Sequence, residues 1–259
     1  RLGKIPMKLF LLTCGSIRMK RGVFTPGQDD DQILDIPLPV FLIKHPSGNV
    51  LFDTGIRRDT AEAPLEHWGG MAKAFRPSML PEQHVLAQLA FLGVSHTDIR
   101  YVIISHLHMD HAGNNRFFPN ARIIVREEEM CEASKPENEG KGYYKSDWRH
   151  NLDYQLINKN LDLFGDGRVC LEHLPGHTPG LQIAVLDLPV SGKIVLASDA
   201  AALSDNLLQG IVARNIYQLH PYLDSLHRLQ ELHKSGALII CGHDPQQWNS
   251  LKLAPAYYE

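Results

Sequence analysis

The run Ser105-His106-Leu107-His108-Met109-Asp110-His111 constrains this chain more than any other feature, because it places four metal-capable side chains within six residues directly after the apolar stretch Tyr101 to Ile104. In extended backbone, alternate side chains share a side, so His106 and His108 converge on one point. A chain that tightens into a helix at Asp110 would project that carboxylate and His111 beside the first point, creating a second site. Three further groups stand where loops leave apolar strands: His177 within Pro175-Gly176-His177-Thr178-Pro179-Gly180, Asp199 after the strand ending at Ala197, and His243 after the strand ending at Cys241. Glycine or small residues flank each one and let backbones approach closely. Singly, each would be an ordinary satisfied polar residue; together, convergence on one cleft is the economical expectation.

The remaining pattern is strands followed by helices, twice over. Met7 to Thr13, Leu38 to Lys44 and Asn49 to Asp53 read as strands, the last two forming a hairpin around His45-Pro46-Ser47-Gly48. Gly15 to Asp35, with Pro26-Gly27 and Asp29 to Asp31, reads as a surface loop, and its aspartates lack the spaced pattern of a calcium site. A helix is expected after Pro81 with Val85, Leu86, Leu89 and Leu92 on one face and Gly93 as its stop. Strands follow at Tyr101 to Ser105, Arg122 to Val125, Val169 to Leu174, Leu181 to Asp187, Lys193 to Ala197 and Ala237 to Cys241. Glu127, Glu128 and Glu129 suit a helix N-terminus and read as solvated. Lys135 to His150 reads as a long loop carrying Tyr143, Tyr144 and Trp148, and Pro221 to Lys234 as an amphipathic helix with Leu223, Leu226, Leu229 and Leu232 inward. The order fits an α/β (α+β) fold, an αββα sandwich of two mixed β-sheets flanked by helices.

Bulk properties narrow the function. A chain of 259 residues with 44% hydrophobic and 21% charged residues is expected to form a single domain over residues 1–259. A formal charge of −3 disfavours a nucleic-acid partner, which needs clustered cations. Cys14, Cys131, Cys170 and Cys241 include no C-x-x-C pair and read as buried free thiols. No segment approaches the roughly 18 apolar residues of a membrane span, and Leu9 to Thr13 is too short for a signal sequence. The expectation is a cytoplasmic protein without a membrane partner, with residues upstream of Arg1 left open.

The set His106-x-His108-x-Asp110-His111, His177, Asp199 and His243 resembles the metal-binding set of the metallo-β-lactamase superfamily. The resemblance implies one ion on His106, His108 and His177, another on Asp110, His111 and His243, and Asp199 bridging both. Asp53-Thr54-Gly55 resembles the superfamily's early strand-end motif, whose aspartate supports the ligands from behind. Within the superfamily, Ser-His-Leu-His-x-Asp-His-Ala-Gly, Ala-Ser-Asp-Ala, Gly-His-Asp and the closing Tyr-Tyr-Glu are similar to N-acyl-homoserine lactonases, over Leu9 to Glu259. A homodimer is a further implication. One departure stands out: such lactonases usually carry a tyrosine three residues after the bridging aspartate, and here that position is Ala202. Tyr217, Tyr143 or Tyr144 are the candidates to reach the site instead.

Nitrogen and carboxylate ligands without thiolate suit zinc, the expected metal, and also manganese, cobalt or iron. Two such ions roughly 3.5 to 4 Å apart hold a bridging water whose pKa falls to about 7, giving a hydroxide nucleophile for a lactone or ester carbonyl. Asp110 is the candidate catalytic proton shuttle. Oxygen-reducing diiron relatives resemble this pattern with a glutamate where His108 stands, so the histidine favours hydrolysis. Thioester hydrolases of the glyoxalase II type share the ligand set and remain an alternative, as does a non-catalytic metal-binding sensor. His220, His227 and His233 read as a solvated face and His173 and His150 as structural, while Phe24, Met71, Phe75, Tyr143, Tyr144 and Trp148 could line a pocket for an acyl-bearing small molecule.

Overall fold

The computed structural model describes residues 6–259, so Arg1 lies outside the described residues. One sheet holds β1 (Lys8–Lys20), β2 (Ile33–His45), β3 (Gly48–Phe52), β4 (Arg76–Ser78), β5 (Ile99–Ile103), β6 (Arg122–Arg126) and β7 (Asp153–Ile157), in the order β4-β1-β2-β3-β5-β6-β7. The other holds β8 (Leu161–Asp162), β9 (Val169–His173), β10 (Gln182–Leu188), β11 (Gly192–Ser198) and β12 (Leu238–Cys241), in the order β12-β11-β10-β9-β8. Both are mixed: β3, β5, β6 and β7 pair in parallel, as do β11 and β12, and the remaining pairs are antiparallel. The helices are α1 (Arg58–Glu62), α2 (Pro64–Trp68), α3 (Val85–Phe91), α4 (Glu127–Ser134), α5 (Lys145–Trp148), α6 (Ser204–Gln209), α7 (Leu219–Lys234) and α8 (Pro245–Ser250).

The strands are apolar on both sides because each sheet is covered on both faces. Leu9, Leu11, Phe41, Ile43, Ile103 and Ile124 meet Leu171, Ala184, Leu186, Ile194 and Leu196 between the sheets. Their neighbours in sequence, Phe10, Leu12, Val40, Leu42, Val102 and Ile123, point the other way, toward Val85 and Leu89 of α3 and Trp148 of α5. On the far side, Ile183, Val195, Ala197 and Ile239 receive Leu226, Leu229 and Leu232 of α7, each worth about 1.5–3 kcal/mol on full burial. The expected αββα sandwich is the observed one. No helix among the described residues is long and apolar enough to cross a membrane.

Four expectations need correction. Much of Gly15 to Asp35 is strand: β1 runs on to Lys20 after a register shift between Thr13 and Ser16, with Gly15 at φ +89 where the strand bends. Ile17 and Met19 are buried between exposed Arg18 and Lys20, a period of two that the polar residues and Pro26-Gly27 obscured. Leu223 is 40% exposed, because the buried stripe of α7 passes through Tyr222, Leu226 and Leu229. Glu129 is buried in the first turn of α4. Cys131 is exposed and Cys170 half-buried, while Cys14 and Cys241 are buried free thiols.

Helix α7 reaches the His177 loop through Gly176. That residue has φ +137, and a Cβ there would lie 2.3 Å from Tyr222 Cα, so both its backbone and the space beside it exclude a side chain. Gly176→Ala is expected to cost about 2–5 kcal/mol from strain and overpacking together, read as a lower midpoint in urea unfolding; an unchanged midpoint would contradict this packing.

Candidate metal centre

The side chains singled out in the sequence meet at the carboxyl ends of the central strands, where open α/β sheets place their clefts. Asp53 follows β3, His106 to His111 follow β5, His177 follows β9, Asp199 follows β11 and His243 follows β12. Asp53 and Ser198 adopt left-handed backbone (φ +61 and +48), turning the chain sharply where strands deliver their ligands. The segment after His108 is a tight turn, in which His111 N–H and Ala112 N–H both donate to the His108 carbonyl at 3.0 Å. The expected helix at Asp110 is absent, yet the turn carries His111 beside His106, 4.1 Å between ring centroids, and Asp110 toward His111 and His243.

Three sets of donor atoms come within 4.8 Å of one another: His106, His108 and His177; His106, His111 and Asp199; and Asp110, His111 and His243. Asp199 stands between the groups. Its Oδ2 is 3.4 Å from His177 Nε2, and its Oδ1 is 3.3 Å from His111 Nε2 and 3.0 Å from His243 Nε2. Asp110 Oδ2 is 3.5 Å from both His111 Nε2 and His243 Nε2.

A second line of contacts fixes which ring nitrogen carries each proton. His111 Nδ1–H donates to Asp53 Oδ2 at 2.7 Å, and His243 Nδ1–H donates to the Pro37 carbonyl at 2.9 Å. Asp53 also accepts the Ser105 amide at 2.7 Å and the Ser105 hydroxyl at 2.8 Å. That hydroxyl, its proton committed, accepts from Ser198 Oγ at 2.9 Å and from His106 Nδ1 at 3.1 Å. The Nε2 atoms of His106, His111 and His243 thereby face inward. Burial lowers His111 and His243, but Asp110, Asp53 and Asp199 around the first and Asp199 and Asp110 around the second outweigh it and raise both. A cation would therefore take these lone pairs by displacing protons.

Those lone pairs test whether the residues fit a cation. His106 Nε2, His111 Nε2 and Asp199 Oδ1 are buried without a hydrogen-bond partner. Orphaned acceptors of that kind cost about 1–3 kcal/mol each unless a ligand takes them. His177 Nε2 lies 3.1 Å from His108 Nδ1, near the roughly 3.3 Å that two nitrogens span when each is about 2.0–2.1 Å from a tetrahedral zinc. Burial, reinforced by the neighbouring imidazoles, holds His106 and His108 far below the ordinary histidine range, and burial likewise lowers His177. These rings are neutral and free to coordinate. Burial pushes Asp199 up, but His243, His177 and His111 outweigh it and keep the carboxylate ionised. The donor set fits divalent metal ions.

Above this floor lies a cleft of about 320 Å3. Phe24, Met71, Phe75, Tyr143 and Tyr217 line it, whereas Tyr144 and Trp148 do not. Tyr144 directs its hydroxyl to the Trp68 carbonyl at 3.2 Å, and Tyr143 directs its own to Glu129 at 3.0 Å. Ala202 packs in one cluster with Phe24, whose ring stacks on His243 at 6.0 Å between centroids. The Phe24 loop is anchored elsewhere: Asn206 Nδ2–H donates to the Phe24 carbonyl, and Arg214 N–H to that of Val23, both at 2.8 Å. His220, His227 and His233 are exposed, and His173 Nε2 bonds the Pro179 carbonyl at 2.9 Å.

Comparison with known proteins agrees with this geometry. Residues 37–243 match the metallo-beta-lactamase superfamily. The chain is 35% identical to N-acyl homoserine lactonase AttM of Azorhizobium caulinodans, covering 98% of this chain and 99% of the relative. It is 30% identical to an N-acyl homoserine lactonase of a Bacillus species, covering 96% and 98%. Among solved structures, a B. thuringiensis AiiA variant with N-decanoyl-L-homoserine bound at the active site superposes with a TM-score of 0.88 at 27% identity, covering 98% of this chain and 100% of that one. An N-acyl homoserine lactone hydrolase with its product N-hexanoyl-L-homoserine bound at the catalytic metal centre gives 0.87 at 28% identity, over 98% and 100%. Fold, donor set and full-length similarity coincide, and the chain belongs to the metallo-beta-lactamase superfamily.

Proposed function

We propose that this protein is a dinuclear zinc hydrolase that opens the lactone ring of N-acyl-homoserine lactones. The observation that carries the reading is the cluster of orphaned donors, His106 Nε2, His111 Nε2 and Asp199 Oδ1, beneath a partly apolar cleft. Its substrate is drawn from the relatives, which are N-acyl homoserine lactonases over nearly their whole length. In this proposal His106, His108 and His177 hold one ion, Asp110, His111 and His243 the other, and Asp199 bridges them. When bound, such a pair supplies a water of lowered pKa and Lewis acidity toward a carbonyl oxygen.

The chain's own groups do the rest. Asp110 lies among the cleft-lining residues and its side chain is 14% exposed. Asp199 is buried more deeply beneath it, so Asp110 is the carboxylate placed to take a proton from attacking water and return it to the departing alkoxide. Phe24, Met71 and Phe75 offer an acyl chain an apolar wall. Because Tyr143 and Tyr144 commit their hydroxyls elsewhere, Tyr217 at the mouth is the cleft tyrosine left to meet the substrate.

Zinc titration of metal-stripped protein should saturate at two equivalents and restore at least about 1,000-fold in lactone-opening rate, the several kcal/mol expected of metal polarisation. Asp110→Asn should lower kcat by about 10²–10⁴-fold with metal content measured in parallel; full activity at full occupancy would remove its proton-transfer role. A proton-release assay across homoserine lactones, thioesters and aryl esters should show the lactones turning over fastest. Rapid turnover of another class with the lactones inert would move the assignment to that class and leave the hydrolase intact.

A further inference from the structure

Glu129 is a buried carboxylate for which the proposed reaction has no use. It is 0% exposed, and its two oxygens collect donors from three separate segments. Oε1 accepts the Leu107 amide at 2.9 Å and the Tyr143 hydroxyl at 3.0 Å, while Oε2 accepts the Gly180 amide at 3.1 Å. Leu107 lies between His106 and His108. Gly180 closes the loop that carries His177. Tyr143 packs against the His108 ring, 4.5 Å between centroids. One carboxylate therefore ties the β5 loop, the β9 loop and the aromatic loop together.

The approach is close enough to exclude any side chain at Gly180, where a Cβ would fall 2.3 Å from the Glu129 amide nitrogen. Sinking an anion to this depth is costly without such donors, and burial raises its pKa against their pull. Its place in the first turn of α4 adds a favourable helix dipole. The contacts are also one-sided. All three serve the His106, His108 and His177 group, whereas His111 and His243 are held by Asp53 and the Pro37 carbonyl.

We infer that Glu129 is a positioning residue for the His106, His108 and His177 group: it fixes the separation of the His108 and His177 nitrogens and so sets the affinity of that half of the centre. Asp53, by contrast, serves both halves, bonding His111 directly and reaching His106 through Ser105. The inference rests on the two-ion reading above and is separable from it by experiment.

Stepwise Co2+ titration of metal-stripped protein, followed by calorimetry and the visible cobalt bands, provides the test. Glu129→Gln keeps the shape and removes the charge. It should weaken one binding step by about 10–100-fold and leave the other within about threefold, and His177→Ala should mark the same step. Asp53→Asn, whose carboxylate reaches both halves, should weaken both steps. Equal weakening of both steps in Glu129→Gln, or a lowered thermal midpoint of the metal-free protein with both affinities intact, would overturn the inference and leave Glu129 a purely structural tie. Wild-type protein binding one ion would sink the two-ion reading instead, and loss of that ion's affinity in Glu129→Gln would still support the positioning role. If Glu129→Gln fails to fold, Tyr143→Phe removes a single donor from the same network: weakening of the step marked by His177→Ala supports the inference, and unchanged affinity at that step overturns it.

Discussion

The structure is organised around buried imidazole nitrogens that point at one another and find no partner in the protein. Left alone, such a cluster is unstable: lone pairs repel, and desolvated acceptors forgo the hydrogen bonds water would supply. What holds it is the set of contacts behind it. Asp53, the Pro37 carbonyl and the Ser105 hydroxyl each commit the outer face of a ring and turn the inner face toward its neighbours. The Ser105 hydroxyl is central to this arrangement, because it joins Asp53 and His106 of one sheet's loops to Ser198 of the other sheet.

Much of this was legible in the sequence, for physical reasons that differ by element. The ligands were legible because histidine at alternate positions after an apolar strand has few other uses. The central strands were legible because both faces are covered, leaving Tyr101 to Ile104 or Ile194 to Ala197 as short apolar runs between breakers. The extension of β1 was not, since it lies toward the rim, where alternation of Ile17 and Met19 with Arg18 and Lys20 is interrupted by a bulge at Gly15. Glu129 was hidden for a related reason: three consecutive glutamates at a helix start look solvated, and only the positions of Leu107, Tyr143 and Gly180 reveal that one of them faces inward. Contacts across 22 and 51 residues leave no trace in local pattern.

The position of Ala202 shows how a single small residue changes a site without disturbing its floor. A side chain with a hydroxyl would have met the space that Phe24 now shares with Ala202 and His243. The aromatic ring there is not an accident of one contact, for its loop is fastened to Asn206 and Arg214 on separate segments. Ala202 and Phe24 set an apolar surface beside the donor cluster.

The site also divides by origin. Its floor is made by strand ends locked into two sheets, whereas Phe24, Met71, Phe75 and Tyr217 are carried on connecting segments that can change length and composition at little expense to the core. Lineages descended from such a protein can therefore exchange one guest molecule for another by rewriting the rim, with the bond-breaking apparatus inherited untouched. Phe24 against His243 is a seam where those two histories meet, and change there would alter both at once.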